Sequence, residues 1–460
     1  MKMIKLIYKK WISVFAIFLF VGISALQSQN YVTTYAGTGS IGFVNGDTSI
    51  ASFNRPFGIC LDAEGNVYIA DAYNHCIRKI STNGEVSTYA GTGSAGYQDG
   101  GASIAKFNQP INICMDDEGN MYVSDFINQR IRKISNNMLV TTIAGSGVAG
   151  HANGFTTEAM FNYPRGICRD DNGNLYIGDS WNHRIRKISV EGIVSDWAGG
   201  GDVIGVQSVG DYVDASDTAA RFYTPCEVSI DQWNNIYVAD AYNHRIRKID
   251  ADRMVTTVAG NSGFGPDGGG FLNGPGEIAE FDVPTAVHIA PDGNIFVGDG
   301  SNQVMRRINL ENYVSTFAGT GEAGFLDGVD SLAMFDFPRG SVMDVNLNRL
   351  YVVDYNNHAI RIIHLDAYVG EHEVFSSAYQ VRVFPNPSSG KFMIGFSEAI
   401  DNYSIQVINL LGKVVFEENK LVENYLEIDI SCEDDGVYFI KIAKGEDLIA
   451  VKKMILDKVH

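Results

Sequence analysis

The stretch NIYVADAYNHRIRKI (235–249) decides the fold, because it recurs in register along the chain. The other copies are NVYIADAYNHCIRKI (66–80), NMYVSDFINQRIRKI (120–134), NLYIGDSWNHRIRKI (174–188), NIFVGDGSNQVMRRI (294–308) and RLYVVDYNNHAIRII (349–363). The central aspartates are spaced by 54, 54, 61, 59 and 55 residues, and they are Asp71, Asp125, Asp179, Asp240, Asp299 and Asp354. A regular period of this length indicates a repeat architecture.

Each repeat predicts four short strands. In the first unit a strand follows a proline in RPFGICLD (55–62), and the next is VYIAD (67–71). CIRKI (76–80) and VSTYAG (86–91) supply the third and fourth strands. β-Branched and aromatic residues favour strands, and turn residues separate the segments. Four antiparallel strands in about 50 residues are typical of a propeller blade.

The ends of the repeat region predict how the ring closes. The fourth-strand motif recurs as VTTIAG (140–145), VSDWAG (194–199), VTTVAG (255–260) and VSTFAG (314–319), but the sixth unit lacks it. A spare copy, VTTYAG (32–37), precedes the first unit. We therefore expect an all-β, six-bladed propeller over 31–366, in which the N-terminal strand completes the last blade and protects its edge.

The segments around the repeats predict export. Residues 1–29 have four lysines, then the uncharged run WISVFAIFLFVGISAL and small polar residues, which is the layout of a secretory signal peptide. We expect cleavage between Ala25 and Asn30. A linker over 367–380 leads to 381–460, where alternating strands such as GVYFIKIAKGE (436–446) predict a small Ig-like β-sandwich.

Two family resemblances follow from these motifs. The N-H-R-I-R-K-I core resembles the NHL repeat family, which implies a six-bladed propeller; its members include protein and RNA binders, an amidating lyase and related lactonases. The tail resembles the type A sorting domain of type IX secretion, through Pro385, Asn386, Pro387 and the strand that begins at Gly436. That resemblance implies contact with the type IX secretion machinery. It also implies secretion, or attachment to the outer-membrane surface of a Gram-negative cell.

The charge of the chain argues against nucleic-acid binding. The formal net charge is −19, and residues 31–380 alone carry 22 basic and 41 acidic residues. Such a surface repels phosphates unless its basic groups are strongly segregated. The R-I-R-K stripes favour nucleic acid, but the acidic surface and the predicted export oppose it.

Side chains that recur in every unit are expected to support the scaffold, because a small ligand is rarely six-fold symmetric. The aspartates above belong to this structural ring, together with His75, His183, His244 and His358. Gln129 and Gln303 replace histidine in two units. Both side chains can make a hydrogen bond, whereas a metal site would need histidine. The aspartates suit turns, or pairing with an arginine.

Ligand binding is expected where the repeats differ. The residue two after each aspartate varies, and Tyr73, Trp181 and Tyr242 could stack against a sugar or peptide there. Two long connections, 199–225 and 260–284, are further candidates. In the first we single out Asp211, Tyr212 and Asp214 for binding a ligand.

Catalytic and metal signatures are weak. No G-x-S-x-G or H-E-x-x-H motif occurs, and the acidic loop lacks EF-hand spacing. Cys60, Cys114 and Cys168 share one repeat position and are expected to be buried thiols rather than bridges.

We expect a monomeric, exported, non-catalytic binder of polysaccharide, peptide or protein, with no cofactor and no catalytic residue. The alternative is a lyase or hydrolase with calcium or zinc at the channel mouth.

Overall fold

The computed structural model describes residues 30–200, 212–261, 263, 268–365, 381–384, 390–396, 400–409, 413–422, 425–433, 436–444 and 447–456. The chain divides into two compact units, Met1–Tyr368 and Val369–His460. The predicted signal peptide and linker lie outside the described residues.

The first unit consists of short strands. They are β1 (Tyr31–Ala36), β2 (Gly46–Asp47), β3 (Pro56–Leu61), β4 (Val67–Asp71), β5 (Cys76–Ile80), β6 (Glu85–Ala90), β7 (Gly100–Gly101), β8 (Pro110–Met115), β9 (Met121–Asp125), β10 (Arg130–Ile134), β11 (Leu139–Ala144), β12 (Gly154–Phe155), β13 (Pro164–Arg169), β14 (Leu175–Asp179), β15 (Arg184–Ile188), β16 (Ile193–Ala198), β17 (Pro225–Ile230), β18 (Ile236–Asp240), β19 (Arg245–Ile249), β20 (Val255–Ala259), β21 (Gly274–Pro275), β22 (Pro284–Ile289), β23 (Ile295–Asp299), β24 (Val304–Ile308), β25 (Tyr313–Ala318), β26 (Gly328–Val329), β27 (Pro338–Asp344), β28 (Arg349–Asp354) and β29 (Ala359–His364).

Helical structure among the described residues is confined to single 3-10 turns. They are Ala72–Asn74, Ser180–Asn182, Asp217–Ala219, Ala241–Asn243 and Gly300–Asn302. Four of them connect the second and third strands of a blade, where the sequence predicts a turn. No helix of the described chain has the length and apolar character needed to cross a membrane.

These strands form six antiparallel sheets, which are the six blades. In the first blade the order is β2-β6-β5-β4-β3, from the outer edge to the inner strand that follows the proline. The sequence predicts four strands per blade, but a fifth, two-residue strand pairs with the outer edge of five blades. Among the described residues, the fourth blade has four strands. These added pairs are too short to show any periodicity in the sequence.

The N-terminal strand closes the ring, as predicted. Strand β1 pairs antiparallel with β29 of the sixth unit, so that Tyr31 lies opposite His364 and Val32 opposite Ile363. The last blade therefore combines the two ends of the repeat region in the order β26-β1-β29-β28-β27. The last blade therefore has as many strands as its neighbours in the ring, and no strand is missing where the two ends of the repeat region meet. The six-bladed propeller predicted from the sequence is confirmed.

Apolar side chains between neighbouring blades form the core. One large aromatic residue of each blade connection is buried, and the six are Phe53, Phe107, Phe161, Phe222, Phe281 and Phe335. Phe107, for example, packs with Tyr68 and Ile77 of the first blade and with Val123 of the second. Each interface is thus filled by residues of two consecutive repeats, as expected for a closed repeat structure.

A buried ion pair braces each blade. In the first blade, Asp71 Oδ2 accepts hydrogen bonds from Arg78 Nη1 and Asn74 Nδ2, both at 2.8 Å. Its other oxygen accepts the backbone N–H of Asn54 at 2.8 Å. The same pair recurs at 2.6–2.8 Å in the other blades, with both side chains fully buried, as Asp125–Arg132, Asp179–Arg186, Asp240–Arg247, Asp299–Arg306 and Asp354–Arg361.

Each brace arginine also holds the blade connection. Arg78 Nη1 donates to the carbonyl of Ser52, and its Nη2 donates to the carbonyl of Val44 and to Asn45 Oδ1. Its guanidinium lies between two rings, 5.0 Å from the centroid of Phe43 and 5.1 Å from that of Phe53. The R-I-R-K stripe thus places its second arginine inside the blade, where it cannot contact a phosphate.

The C-terminal unit consists of two sheets. Its strands are β30 (Val381–Phe384), β31 (Lys391–Phe396), β32 (Ile400–Asn409), β33 (Val414–Val422), β34 (Tyr425–Asp429), β35 (Gly436–Lys444) and β36 (Asp447–Leu456). The sheet orders are β30-β31-β34 and β33-β32-β35-β36. Phe392 and Ile428 of the smaller sheet share one core with Ile405, Ile440 and Met454 of the larger sheet. An Ig-like arrangement of these strands stays a prediction.

The brace predicts a large and local effect on stability. Arg247→Met should lower the free energy of unfolding of the propeller by about 3–5 kcal/mol, because Asp240 keeps a buried charge without its partner. The neighbouring substitution Lys248→Met should change it by about 0.5 kcal/mol or less. Urea unfolding followed by tryptophan fluorescence measures this, since Trp181, Trp197 and Trp233 all lie in the first unit. Equal effects of both substitutions would show that the pair does not brace the blade.

Candidate functional site at the channel mouth

One face of the propeller collects the variable residues. Because the strands alternate in direction, the turns between second and third strands open on the same face as the blade connections. We call this the turn face; the turns between first and second strands lie on the opposite face. The residue that ends each of these turns is His or Gln with a left-handed backbone, at φ values between 51° and 57°.

These His and Gln side chains link each blade to the next. His75 Nδ1 accepts the backbone N–H of Gln109 at 3.1 Å, and Gln129 Oε1 accepts that of Tyr163 at 2.6 Å. The remaining acceptor and donor pairs are His183–Thr224, His244–Val283, Gln303–Phe337 and His358–Arg55. One hydrogen bond per blade interface therefore explains why Gln can replace His, and the last bond spans the ring closure.

This bond requires a neutral imidazole, since a protonated ring cannot accept a hydrogen bond at Nδ1. Burial lowers the pKa of His75, and burial together with the nearby charge of Arg55 lowers that of His358. Both rings thus remain neutral acceptors over a wider pH range. Their role in the structure is to join blades.

Substitution of His358 tests the linkage at the ring closure. His358→Gln should leave the free energy of unfolding almost unchanged, because Gln129 and Gln303 make the same bond at φ 55° and 57°. His358→Leu should lower it by about 1–3 kcal/mol, since the Arg55 N–H loses its acceptor. Thermal or urea unfolding of both variants decides the point. A Gln variant as unstable as the Leu variant would contradict the assignment.

The three predicted stacking aromatics all lie on the turn face, but they differ in surroundings. Trp181 is 56% exposed and packs on Tyr163, with ring centroids 4.9 Å apart. Tyr73 is partly exposed and lies 5.2 Å from the Arg55 guanidinium. Tyr242 is less exposed and packs edge-on against Tyr223 at 5.3 Å. Trp181 therefore offers the largest free aromatic surface of the three.

Two of the long-loop candidates contact the brace of the fourth blade. Asp214 pairs with Arg247 at 2.6 Å, and the Tyr212 ring lies 4.9 Å from the same guanidinium. They occupy the repeat positions held in the first blade by Asn45 and Phe43. Both side chains thus complete the fourth brace, and ligand binding by Tyr212 and Asp214 stays a prediction. Asp211 lies outside the described residues.

The inner strands bring together a set of side chains that the sequence interpretation missed. The second residue after each inner-strand proline lies near the propeller axis; these residues are Gly58, Asn112, Gly166, Glu227, Ala286 and Gly340. The strands approach so closely there that a Cβ atom on Gly166 would lie 2.5 Å from the Val228 nitrogen. Of these six residues, only Asn112 and Glu227 have a polar side chain.

Those two side chains meet across the channel. Asn112 Nδ2 donates to Glu227 Oε1 at 3.0 Å, which joins the second and fourth blades. Burial raises the pKa of Glu227 to about 7, although the bonds from Asn112 and the Val287 N–H and the charge of Arg339 oppose the shift. At neutral pH this carboxyl group is thus divided between its charged and neutral forms.

Above Glu227, two arginines lie on opposite blades. The Arg339 guanidinium is caged by rings, 3.9 Å from the centroid of Phe57, 4.3 Å from Tyr355 and 4.7 Å from Phe337. Burial, followed by the like charge of Arg165, lowers the pKa of Arg339 to about 10.

Arg165 extends this arrangement to the third blade. Its guanidinium lies 5.4 Å from the Phe126 ring, and its Nη1 donates to Cys226 Sγ at 3.0 Å. Both Arg165 and Arg339 are partly exposed. We call Arg165, Arg339, Phe57, Tyr355 and Glu227 the mouth cluster.

Below this level the channel opens into a cavity of about 330 Å³. Cys60, Cys114 and Cys168 line it and form no disulfide. Cys60 and Cys168 are buried as predicted, while Cys114 is partly exposed. Burial raises the pKa of the Cys114 thiol to about 12, so its nucleophilic thiolate form is disfavoured.

His288 is a further buried titratable group of the channel. Burial lowers the pKa of His288 to about 4, and its Nε2 accepts the Met343 N–H at 3.2 Å. Among the residues that the structure describes, no three His, Cys, Asp or Glu side chains come together as metal ligands would.

The raised pKa of Glu227 predicts a pH-dependent stability. A carboxyl group with a raised pKa stabilises the fold while it is protonated, and this contribution is lost as pH rises from 4.5 through about 7. Between pH 4.5 and 8, the free energy of unfolding should fall in the parent by on the order of 2 kcal/mol more than in Glu227→Gln. Urea titrations across this range measure the difference. Parallel pH profiles would exclude a raised pKa.

Comparison with known proteins agrees with this architecture. Residues 53–80 and 161–188 match the NHL repeat, and residues 382–457 match the secretion system C-terminal sorting domain. The chain is an NHL-repeat β-propeller with a type IX secretion sorting domain at its C-terminus. It is therefore exported, and is either secreted or attached to the outer-membrane surface.

Curated relatives share the repeat region. The chain is 30% identical over 291 residues to Protein SUPPRESSOR OF QUENCHING 1, chloroplastic, of Arabidopsis thaliana, which covers 61% of this chain and 27% of that protein. It is 30% identical over 299 residues to NHL repeat-containing protein 2 of Bos taurus, and the match covers 58% of this chain and 40% of that protein. The chain thus spans less than half the length of either relative.

Solved structures from Bacteroides thetaiotaomicron VPI-5482 share the fold. One is a structural genomics protein of unknown function, with 20% identity and a TM-score of 0.55, covering 73% of this chain and 76% of that one. Another is an auxiliary nutrient binding protein, with 18% identity, the same TM-score and the same coverage.

Proposed function

We propose that this protein is an exported propeller that binds an extracellular polysaccharide, peptide or surface protein at the turn face, without catalysing a reaction. The observation that carries the proposal is the mouth cluster. Arg165 and Arg339 hold two positive charges at the axis of an acidic protein, and aromatic side chains surround them. Such a convergence of polar groups in an apolar surrounding is typical of a binding site.

The position of the cluster supports ligand binding in preference to scaffold support. The blades are braced by six ion pairs that repeat, whereas Arg165 and Arg339 occupy first-strand positions held elsewhere by Phe57, Ile111, Cys226 and Thr285. A residue required for the scaffold would be needed in every blade. Side chains present in only two blades are available for a function that the ring does not share.

The histidine geometry disfavours the metal-dependent lyase or hydrolase. The Nδ1 atoms of His75, His183, His244 and His358 all accept backbone N–H groups of the next blade. Each bond joins a different pair of blades, so the four rings are distributed around the turn face. A neutral histidine committed in this way serves the blade interface.

A path of aromatic rings connects the mouth cluster to the surface. Arg165 lies over Phe126, Phe126 packs on Tyr163 at 4.8 Å, and Tyr163 packs on Trp181. On the other side, Tyr355 contacts both Arg339 and Arg55, and Arg55 lies over Tyr73. A ligand that enters the mouth can therefore contact exposed rings on two sides. One solved fold neighbour is an auxiliary nutrient binding protein, which agrees with a binding role.

Two exposed tryptophans provide a matched test of the binding face. Trp181 lies on the turn face and Trp233 on the opposite face, with exposed fractions of 56% and 66%. The secreted protein should bind one member of a panel of polysaccharides, peptides and surface proteins. Trp181→Ala should weaken that binding about 5- to 20-fold through loss of an aromatic contact. Trp233→Ala should leave the dissociation constant unchanged.

Isothermal titration with product analysis measures both binding and turnover. Conversion of the bound compound to product would contradict the non-catalytic proposal. Equal weakening by both substitutions would contradict the choice of the turn face.

A further inference from the structure

The mouth arginines differ from the brace arginines in their partners. Each of the six brace arginines has a carboxylate within 2.8 Å. Within the described part of the chain, neither Arg165 nor Arg339 forms an ion pair with a carboxylate at 4.0 Å or less. The Nη1 atom of Arg339 is buried and has no hydrogen-bond partner, and Arg165 Nη1 has only the sulfur of Cys226, a weak acceptor.

Without a bound anion, these two arginines lower the stability of the folded protein. A buried donor that lacks an acceptor loses about 1–3 kcal/mol of hydration, and more when the group is charged. Two like charges near each other add repulsion, which agrees with the lowered pKa of Arg339. An anion placed between the two guanidiniums would accept the missing hydrogen bonds and would offset the repulsion between the two charges. A guanidinium presents paired N–H donors that fit a planar or tetrahedral anion.

The inner strands pack closely just below the two arginines. A Cβ atom on Gly58, Gly166 or Gly340 would lie 2.5–2.7 Å from a backbone atom of another inner strand. The close packing at this level favours a ligand with a small end group. Below lies the Glu227–Asn112 pair, so the ligand meets polar groups at the floor and rings at the walls. Because Glu227 has a pKa of about 7, it does not oppose an anion with a full negative charge at neutral pH.

The aromatic side chains around the two arginines indicate which kind of molecule bears the anionic group. Phe57 and Tyr355 border Arg339, and the exposed faces of Trp181 and Tyr73 lie further out. A sugar ring has an apolar face that packs on an aromatic ring, while its hydroxyl groups remain in water. An acidic sugar at a chain end therefore matches both the aromatic walls and the paired charges.

We propose that the turn face recognises an acidic glycan, whose anionic group binds between Arg165 and Arg339 while its sugar rings pack on the surrounding aromatic side chains. This inference rests on the ligand-binding function proposed above and specifies the chemical class of the ligand. The carboxylate of a uronic acid and the sulfate ester of a sulfated sugar share the required chemistry.

Galactose-based probes of equal length test the proposal. Calorimetry on the secreted full chain would compare oligogalacturonate, sulfated galactan oligosaccharide and neutral galactan oligosaccharide, with an oligoglutamate peptide as the non-sugar anion. We expect at least one acidic oligosaccharide to bind, and the neutral oligosaccharide and peptide to bind at least 10-fold more weakly. Preference between the two acidic probes identifies carboxylate or sulfate as the group bound.

Arginine variants locate the anion. Arg165→Gln and Arg339→Gln should each weaken binding of the acidic probe about 10- to 100-fold, since each removes a charge-assisted hydrogen-bonding group. Arg169→Gln is the matched control, because Arg169 lies on the same inner strand as Arg165, at the other end of the channel, and should have no effect. Arg339→Lys keeps the charge without the planar fork and should give an intermediate loss. Unfolding curves establish that each variant folds.

Several outcomes would overturn the inference. Binding of the neutral probe with the same affinity, unaffected by either glutamine substitution but weakened by Trp181→Ala, would remove the acidic-glycan class and leave ligand binding at the turn face intact. Binding of oligoglutamate in place of both acidic sugars would show that the ligand is a peptide. No binding of any probe or panel member would contradict both the inference and the proposed function.

Discussion

The buried pair between the second-strand aspartate and the third-strand arginine is the interaction on which the turn face depends. In the fourth blade, Asp240 fixes the turn through Asn243 and the Tyr223 N–H, while Arg247 reaches back to the carbonyls of Val213 and Arg221. Pairing with an opposite charge and hydrogen bonding offset the cost of burying a charged side chain. The pair therefore fixes the turn and the blade connection together, and every blade must retain it.

This constraint separates scaffold from function. Positions that serve the brace and the blade interface accept few residue types, as the exchange of His for Gln shows. The inner-strand positions near the axis carry no such requirement, so they vary from Gly58 to Glu227. The six braces repeat in every blade and form a regular ring. The side chains that line its channel differ between blades, and among these we propose that Arg165 and Arg339 recognise the ligand.

The six-bladed ring could be predicted from the sequence because its strand and turn motifs are local and recur in every repeat. The inter-blade histidine bond was also foreseeable from the shared position of His75 and Gln129. The contacts of Tyr212 and Asp214 with the fourth brace were not foreseen, because an insertion beside them hides their correspondence with Phe43 and Asn45. The mouth cluster was missed because its members come from distant repeats, and only closure of the ring brings Arg165 near Arg339. Comparison of the six inner strands, position by position, would have shown Glu227 as an exception.

A crystal structure of the secreted protein grown with an acidic oligosaccharide would show directly where recognition occurs. We expect a single ligand at the turn face, with its anionic group within hydrogen-bonding distance of the Arg165 and Arg339 guanidiniums and a sugar ring against an aromatic side chain. The six Asp–Arg braces should be unchanged by the ligand. A ligand bound between outer strands, or on the opposite face near Trp233, would contradict the central claim that recognition resides where the repeats differ around the channel.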